Sequence, residues 1–293
     1  MTVLDRSSII VSINKLTSEK RSRVIAALVA GNSIRSTVRM TGVAKNTVVK
    51  LLRDVGQVCS EYQDKVMVDL PCKRVHVDEI WSFCYAKQKN VPEEYQGKFG
   101  YGDVWTWTAI DADTKLVPTW LVGGRDAGWG KLFIEDLAWR LRNRIQLTSD
   151  GHKVYLSAVD HTFGDEVDYV TLVKLYGPDK KEVQHRYSPS KVTGCQLAVI
   201  KGDPDPRHIS TSYAERQNLT MRMQMRRFTR LTNGFSKKVE NLDHAAALHF
   251  MHYNFCRIHR SLKVTPAMEA GVSDHLWTID DVVALLEKSE NSN

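Results

Sequence analysis

The chain has no apolar run near the roughly 20 consecutive residues that cross a bilayer. Its first residues, Met1 to Arg6, lack the pattern of a secretory signal. A cytoplasmic protein is expected. Five cysteines, Cys59, Cys72, Cys84, Cys195 and Cys256, are odd in number and scattered, with no Cys-x-x-Cys pair. That argues against a disulfide framework or a structural zinc site. No internal repeat is visible, so a solenoid is excluded. With 293 residues, 42% hydrophobic and 26% charged, the chain has room for two domains, or one large domain with appendages.

Acidic residues are scarce in one stretch, and that scarcity is the most informative feature of the chain. From Glu215 to Lys238 there are seven Lys or Arg and a single acid, Glu215 itself. Glu215, Asn218, Leu219 and Arg222 fall at i, i+3, i+4 and i+7, so a helix puts them on one face. A carboxylate alone among so many cations reads as a metal ligand beside a surface that grips phosphates. The net charge of +7 and pI of about 9.1 agree with a polyanion partner, and residues 1–70 carry eleven Lys or Arg against six acids.

Two upstream acids could complete a site with Glu215. Asp78 sits in Arg74-Val75-His76-Val77-Asp78-Glu79-Ile80-Trp81-Ser82-Phe83, a β-branched and aromatic run that reads as a strand. Asp150 ends the short apolar run Ile145–Ser149 at an Asp-Gly turn, where a carboxylate stands at a strand tip. Three hard oxygen donors suit Mg²⁺ or Mn²⁺. Strand alternation sends Asp78 and its neighbour Glu79 to opposite faces, so only one of them binds metal. Asn218 and Arg222 share the Glu215 face and could orient phosphate, with ordinary helix-surface polarity as the alternative. Arg226 extends the basic stretch. His76 and His152 flank the two aspartates but read as structural or exposed. Turn chemistry accounts for Asp111 and Asp113, and a solvated face for Asp160 and Asp165.

Residues 16–56 read as three short helices: one from Ser18 to the stop at Gly31-Asn32, one from Ser33 to Met40, and one over Lys45–Arg53. This is a helix-turn-helix pattern. Val48, Leu51 and Leu52 face inward, and Lys45, Asn46, Thr47, Lys50 and Arg53 face outward toward a major groove. A protein-binding module is the alternative. A polar linker helix over 57–71 follows. Strands are expected over Lys73–Lys87, Gly102–Asp111 and Leu116–Val122 as an antiparallel meander. An amphipathic helix over Lys131–Arg144 has Leu132, Phe133, Leu137 and Leu141 inward. Pro178–His208 reads as an irregular or partly stranded insertion. Helices are expected over Leu242–Cys256, from Pro266, and from about Trp277, with Ser289–Asn293 disordered.

Val77-Asp78-Glu79-Ile80-Trp81-Ser82-Phe83, Ser149-Asp150-Gly151, and Glu215-Arg216-Gln217-Asn218-Leu219 with Phe235-Ser236-Lys237-Lys238 together resemble a DDE transposase of the insertion-sequence-one family. The resemblance covers roughly residues 70 to 265. Its first and last elements are fairly specific; Ser-Asp-Gly alone is weak. Many relatives carry an N-terminal zinc-binding cysteine cluster, which this chain does not have.

The resemblance implies a mixed α/β fold: an RNase H-like catalytic core over 72–240, with an insertion at about 165–210. A helix-turn-helix domain over 1–56, the linker at 57–71 and a helical region over 241–293 complete the organisation. It implies two Mg²⁺ or Mn²⁺ ions, with Asp78 bridging, Asp150 on one and Glu215 on the other. The implied function is metal-dependent cleavage of double-stranded DNA at element ends, and strand transfer into target DNA. Nucleoid association and at least a homodimer on DNA follow. The apolar tail helices are candidate subunit contacts, with packing onto their own chain as the alternative. A metal-dependent nuclease without strand transfer and a catalytically silent DNA-binding regulator remain open.

Overall fold

A computed structural model describes residues 15–176, 192–229 and 232–292. The fold is mixed α/β. Its centre is a six-stranded sheet in the order β3-β2-β1-β4-β5-β6. The strands are β1 (Arg74–Cys84), β2 (Gly102–Asp111), β3 (Trp120–Gly123), β4 (Ile145–Ser149), β5 (Val167–Tyr176) and β6 (Val192–Lys201). β1, β2 and β3 form an antiparallel meander, β4 and β5 run parallel to β1, and β6 returns antiparallel on β5. The β2–β3 turn is held by Asp111, whose carboxylate accepts from the backbone and hydroxyl of Thr114, while Asp113 pairs with Arg74. Both acids are thus spent on the turn.

Helices cover both faces of the sheet. The long helical segments are α1 (Ser18–Val29), α2 (Ile34–Thr41), α3 (Lys45–Val66), α4 (Ala127–Arg140), α5 (Lys153–Phe163), α6 (Ser212–Gln224) and α7 (Val239–Met251). A short α8 (Pro266–Glu269) and a longer α9 (Ile279–Ser292) follow. The period-two alternation of β1 decides what each face meets. Val75 and Val77 join Trp107, Phe133 and Tyr155 in the core under α4 and α5, whereas Ile80 and Cys84 join Ala214, Met221 and Phe250 under α6 and α7.

Several elements differ from expectation. The helix from Lys45 runs to Val66 because Val55, Val58, Cys59 and Gln63 continue its buried stripe. The linker helix expected from Gln57 is helical as far as Val66 but continues α3, and one side of it packs into the core, as do Met67 and Leu70 beyond it. The 165–210 insertion contains two strands of the main sheet, β5 and β6; its segment 177–191 lies outside the described residues. Leu132, expected inward, is 54% exposed, because α4 begins at Ala127 and turns Phe133, Ile134 and Leu137 to the core. The third strand is shorter than Leu116–Val122 because the Asn254 side chain takes both backbone groups of Val117. Ser289 to Ser292 continue α9, held by Glu290, which accepts two 3.1 Å bonds from Arg21 on α1. The tail helices bury Leu242, Phe250, Val282 and Leu286 inside this chain.

α3 and α7 approach most closely at Gly56. A Cβ there would lie 2.5 Å from the Cβ and carbonyl oxygen of His244. Gly56→Ala gains helix propensity of up to about 1 kcal/mol, but it forces the two helices apart. A net loss of about 2 kcal/mol is expected in urea unfolding.

His249 on α7 is buried, with Nε2 lacking a hydrogen-bond partner. Burial, aided by the charges of His252 and Arg257, pulls its pKa down to about 3. The unfolded chain therefore takes up a proton that the fold refuses, and stability is lost as pH falls from about 6.5 toward 3. About 2 kcal/mol is expected to go between pH 7 and pH 5 through this group. His249→Leu should flatten that part of the stability–pH curve.

Candidate active site

Asp78 stands in the middle of β1 and faces α6. Its Oδ1 accepts the Glu79 amide at 2.8 Å, and its Oδ2 accepts Nδ2 of Asn218 at 2.8 Å. Parallel pairing matches His76 on β1 with Thr148 on β4. Two residues further along each chain, one full side-chain period, come Asp78 and Asp150. Continued just past the end of β4, that register directs the two aspartates to one face. Asp150 is fixed by its own turn, its Oδ1 accepting the His152 amide at 2.9 Å.

Glu215 lies in the first turn of α6, one turn before Asn218. Its carboxylate accepts from Nζ of Lys174 on β5 at 2.5 and 2.6 Å and from Oγ1 of Thr211 at 2.8 Å. The four acids act on one another. Burial pushes the Asp78 carboxyl up to about 7, helped by the charge of Glu79 and, more weakly, by those of Asp150 and Glu215.

Glu79 points the other way, as alternation requires. Arg125 donates to it from Nε at 2.8 Å and from NH2 at 2.7 Å, and the Tyr155 hydroxyl donates at 3.0 Å. Its charge is neutralised inside the fold, which leaves Asp78 as the open carboxylate of the pair. His76 is buried against Tyr213 with both ring nitrogens unpartnered, and burial draws its pKa down to about 4. His152 caps α5.

The donor chemistry suits a hard divalent cation: carboxylates on neighbouring elements, with an Asp78 charge that the others oppose. As the side chains stand, the three do not yet meet. Among the described residues no group of three or more His, Cys, Asp or Glu is close enough to hold a metal ion. Lys174 holds the Glu215 carboxylate. Lys174, Thr211, Arg125 and Tyr155 were not singled out from the sequence. Lys174 was recoverable once Val167–Tyr176 is seen as a β-branched strand; Arg125, in a loop, carried no signal.

The remaining sequence candidates fall in two places. Lys45, Asn46, Lys50 and Arg53 are exposed on the first turns of α3, with Thr47 half-buried among them. Arg222 is half-buried on α6, and Arg226 is exposed just beyond its end. Asn218 is committed to Asp78. No helix among the described residues is long and apolar enough to cross a membrane.

No protein-family model matches the chain, and no curated protein does. Among solved structures, the chain is similar to a piggyBac transposase in the cryo-EM structure of its synaptic complex with hairpin DNA. The identity is 10% and the TM-score 0.40, over 96% of this chain and 75% of that one. A likeness at that level bears on neither the family nor the activity of this chain.

Proposed function

We propose that this chain is a DDE transposase of the insertion-sequence-one type. It binds element ends through a helix-turn-helix formed by α1–α3 and transfers DNA strands on an RNase H-like core. The observation that carries this reading is Asp78: a half-buried carboxyl on a central strand, with Asp150 on the neighbouring parallel strand and Glu215 on the facing helix. Both are near enough to raise its pKa. A pure DNA binder has no use for acids held against one another in this way. The element order is compatible with it: a meander, a helix, a parallel strand that ends just before Asp150, then a helix and two more strands before the helix bearing Glu215.

Two Mg²⁺ or Mn²⁺ ions would activate the attacking oxygen and relieve charge on the leaving oxygen. Asp78, Asp150 and Glu215 would hold them. Asn218 and the Glu79 amide keep the Asp78 carboxylate in its orientation. Arg125 and Tyr155 hold Glu79 away from the site. Release of Glu215 by Lys174 completes the donor set and frees an ammonium for a DNA phosphate. Water first breaks a phosphodiester, leaving a 3′-hydroxyl. That hydroxyl then attacks a target phosphodiester, forming a new P–O bond and expelling the target strand's 3′-oxygen. Joining two ends to one target needs two such sites, hence at least a dimer on DNA.

The Lys174–Glu215 pair favours a second reading, a chain that binds DNA and does not cut it. Labelled duplex carrying the DNA that flanks the coding region separates the readings. Metal-dependent joining of the label into a second duplex is expected. Nicking without joining would leave a nuclease, and binding alone would leave a regulator.

A further inference from the structure

Several cations of this chain are held in ion pairs. Arg140 meets Asp64 and Asp136, Arg144 meets Asp168, Lys201 meets Asp160, and Arg207 meets Asp205. A groove of about 1020 Å³ opens between the N-terminal helices and the chain that follows α6. Arg35, Lys45, Lys50 and Arg53 stand on its first wall. Arg226, Arg227, Lys237 and Lys238 stand on the second. Among the described residues no Asp or Glu lines it. Asp54 lies behind the first wall, paired with Lys50 and 3.9 Å from Arg53. The other six cations have no ion pair among the described residues.

Like charges facing one another across a groove repel, and Asp54 offsets that repulsion at Lys50 and Arg53 alone among the described residues. Arg227 makes the point most sharply. Its guanidinium is packed into the wall, and its bond from Nε goes to the neutral carbonyl of Asn241 at 3.3 Å. The space between the cations is lined by amide side chains such as Asn46, Asn233 and Asn241, and by apolar ones such as Val49, Met225 and Phe235. A basic groove without acids among its described lining residues, and with amides to donate hydrogen bonds, matches a polyphosphate backbone.

The groove is also tied to the carboxylate site. Gln224, the last residue of α6, lines it, and Glu215 lies nine residues earlier on the same helix, roughly 14 Å away at 1.5 Å per residue. The two walls are far apart in sequence and are held together by α3 packing on α7.

We infer that this groove is a two-walled clamp for double-stranded DNA, in which Arg227, Lys237 and Lys238 grip the backbone of the same duplex that the first turns of α3 contact. The inference rests on the reading of the chain as a DNA-acting protein and adds the surface that holds the duplex next to α6.

The test uses the full chain in EDTA, so that strand chemistry plays no part. Binding of a fluorescent duplex is followed over a salt series for the wild type, for K237Q/K238Q, and for R207Q as a paired-cation control. Lys237 and Lys238 are exposed, so the double variant should keep the wild-type unfolding temperature. The clamp requires about tenfold weaker binding for K237Q/K238Q, and a log–log salt slope shallower by roughly 1.8, from about 0.9 per lost phosphate contact. R207Q should match the wild type. An unchanged slope in K237Q/K238Q would overturn the clamp.

An amine-reactive footprint of the wild type gives a second reading without substitution. DNA should protect Lys45, Lys237 and Lys238 together and spare Lys131. Protection of Lys45 alone would leave the α3 contact standing and remove the second wall. Stronger competition by single-stranded DNA or by RNA than by duplex DNA would overturn the choice of occupant. Duplex binding that meets these terms, in a chain that never joins strands, would keep the clamp and discard the proposed reaction.

Discussion

Asp78→Asn is expected to reduce DNA cleavage and joining by about a thousandfold or more, because the oxygen ligand shared by both metals would be lost, and several kcal/mol of transition-state stabilisation with it. Duplex affinity in EDTA should stay within about twofold, since Asp78 lies outside the basic groove that supplies the phosphate contacts. The substitution is also well tolerated by its surroundings. Oδ1 of Asn218 is buried without a partner. Flipping the Asn218 amide presents an acceptor to the side-chain NH₂ that the substitution introduces, while the Glu79 amide keeps its acceptor. Removing a charge that burial and three carboxylates disfavour should raise Tm by a few degrees. A dead and more stable protein is therefore the expected pair of observations, from a joining gel and a thermal melt. Activity near the wild-type level, or a dead protein that has simply lost its fold, would count against the assignment.

The second large effect concerns the N-terminal helices. Deleting residues 1–56 is expected to unfold the chain, and not merely to remove a DNA-reading module. The cut falls inside α3, and Val48, Leu51, Leu52 and Val55 of that helix are buried. Each is worth about 1.5–3 kcal/mol. Their sum approaches the whole stability of an ordinary domain, about 5–15 kcal/mol. The deletion also strips the α7 flank at Leu248 and leaves Glu290 of α9 without Arg21. Near-UV circular dichroism and denaturant melts of the 57–293 fragment check this. Loss of a cooperative transition is expected. A soluble fragment with a native-like transition would show that the helices form a detachable unit.

Much of this fold follows from local rules that can be read in one dimension. Thr17 and Ser33 cap α1 and α2, and Gly42, at φ 69°, closes α2. β2 follows its β-branched and aromatic run to the residue. Alternation along β1 is enough to separate Asp78 from Glu79. What escaped depends on contacts between distant segments. Val167-Asp168-Tyr169-Val170-Thr171-Leu172-Val173 has plain strand character, yet in a long connection it passed for an insertion; only its pairing with β4 makes it a sheet member. A helix from Gln57 was legible, but Gln57 and Glu61 made it look like a polar linker, and its packing into the core through Val58, Cys59 and Gln63 depends on contacts far along the chain. The Asn218–Asp78 bond spans 140 residues, and Lys174–Glu215 spans 41. The basic groove is the extreme case. Each wall reads as an ordinary cationic stretch, and only the fold turns them to face each other with no acid between.

The central claim is that Asp78, Asp150 and Glu215 form one divalent metal site once Glu215 leaves Lys174. Anomalous diffraction from crystals of the full chain, grown with duplex DNA and Mn²⁺, tests it most directly. The expected result is manganese within about 2.2 Å of carboxylate oxygens from all three residues, with the Lys174–Glu215 pair opened. Manganese bound elsewhere, or an intact Lys174–Glu215 pair at saturating Mn²⁺ with DNA in place, would contradict it.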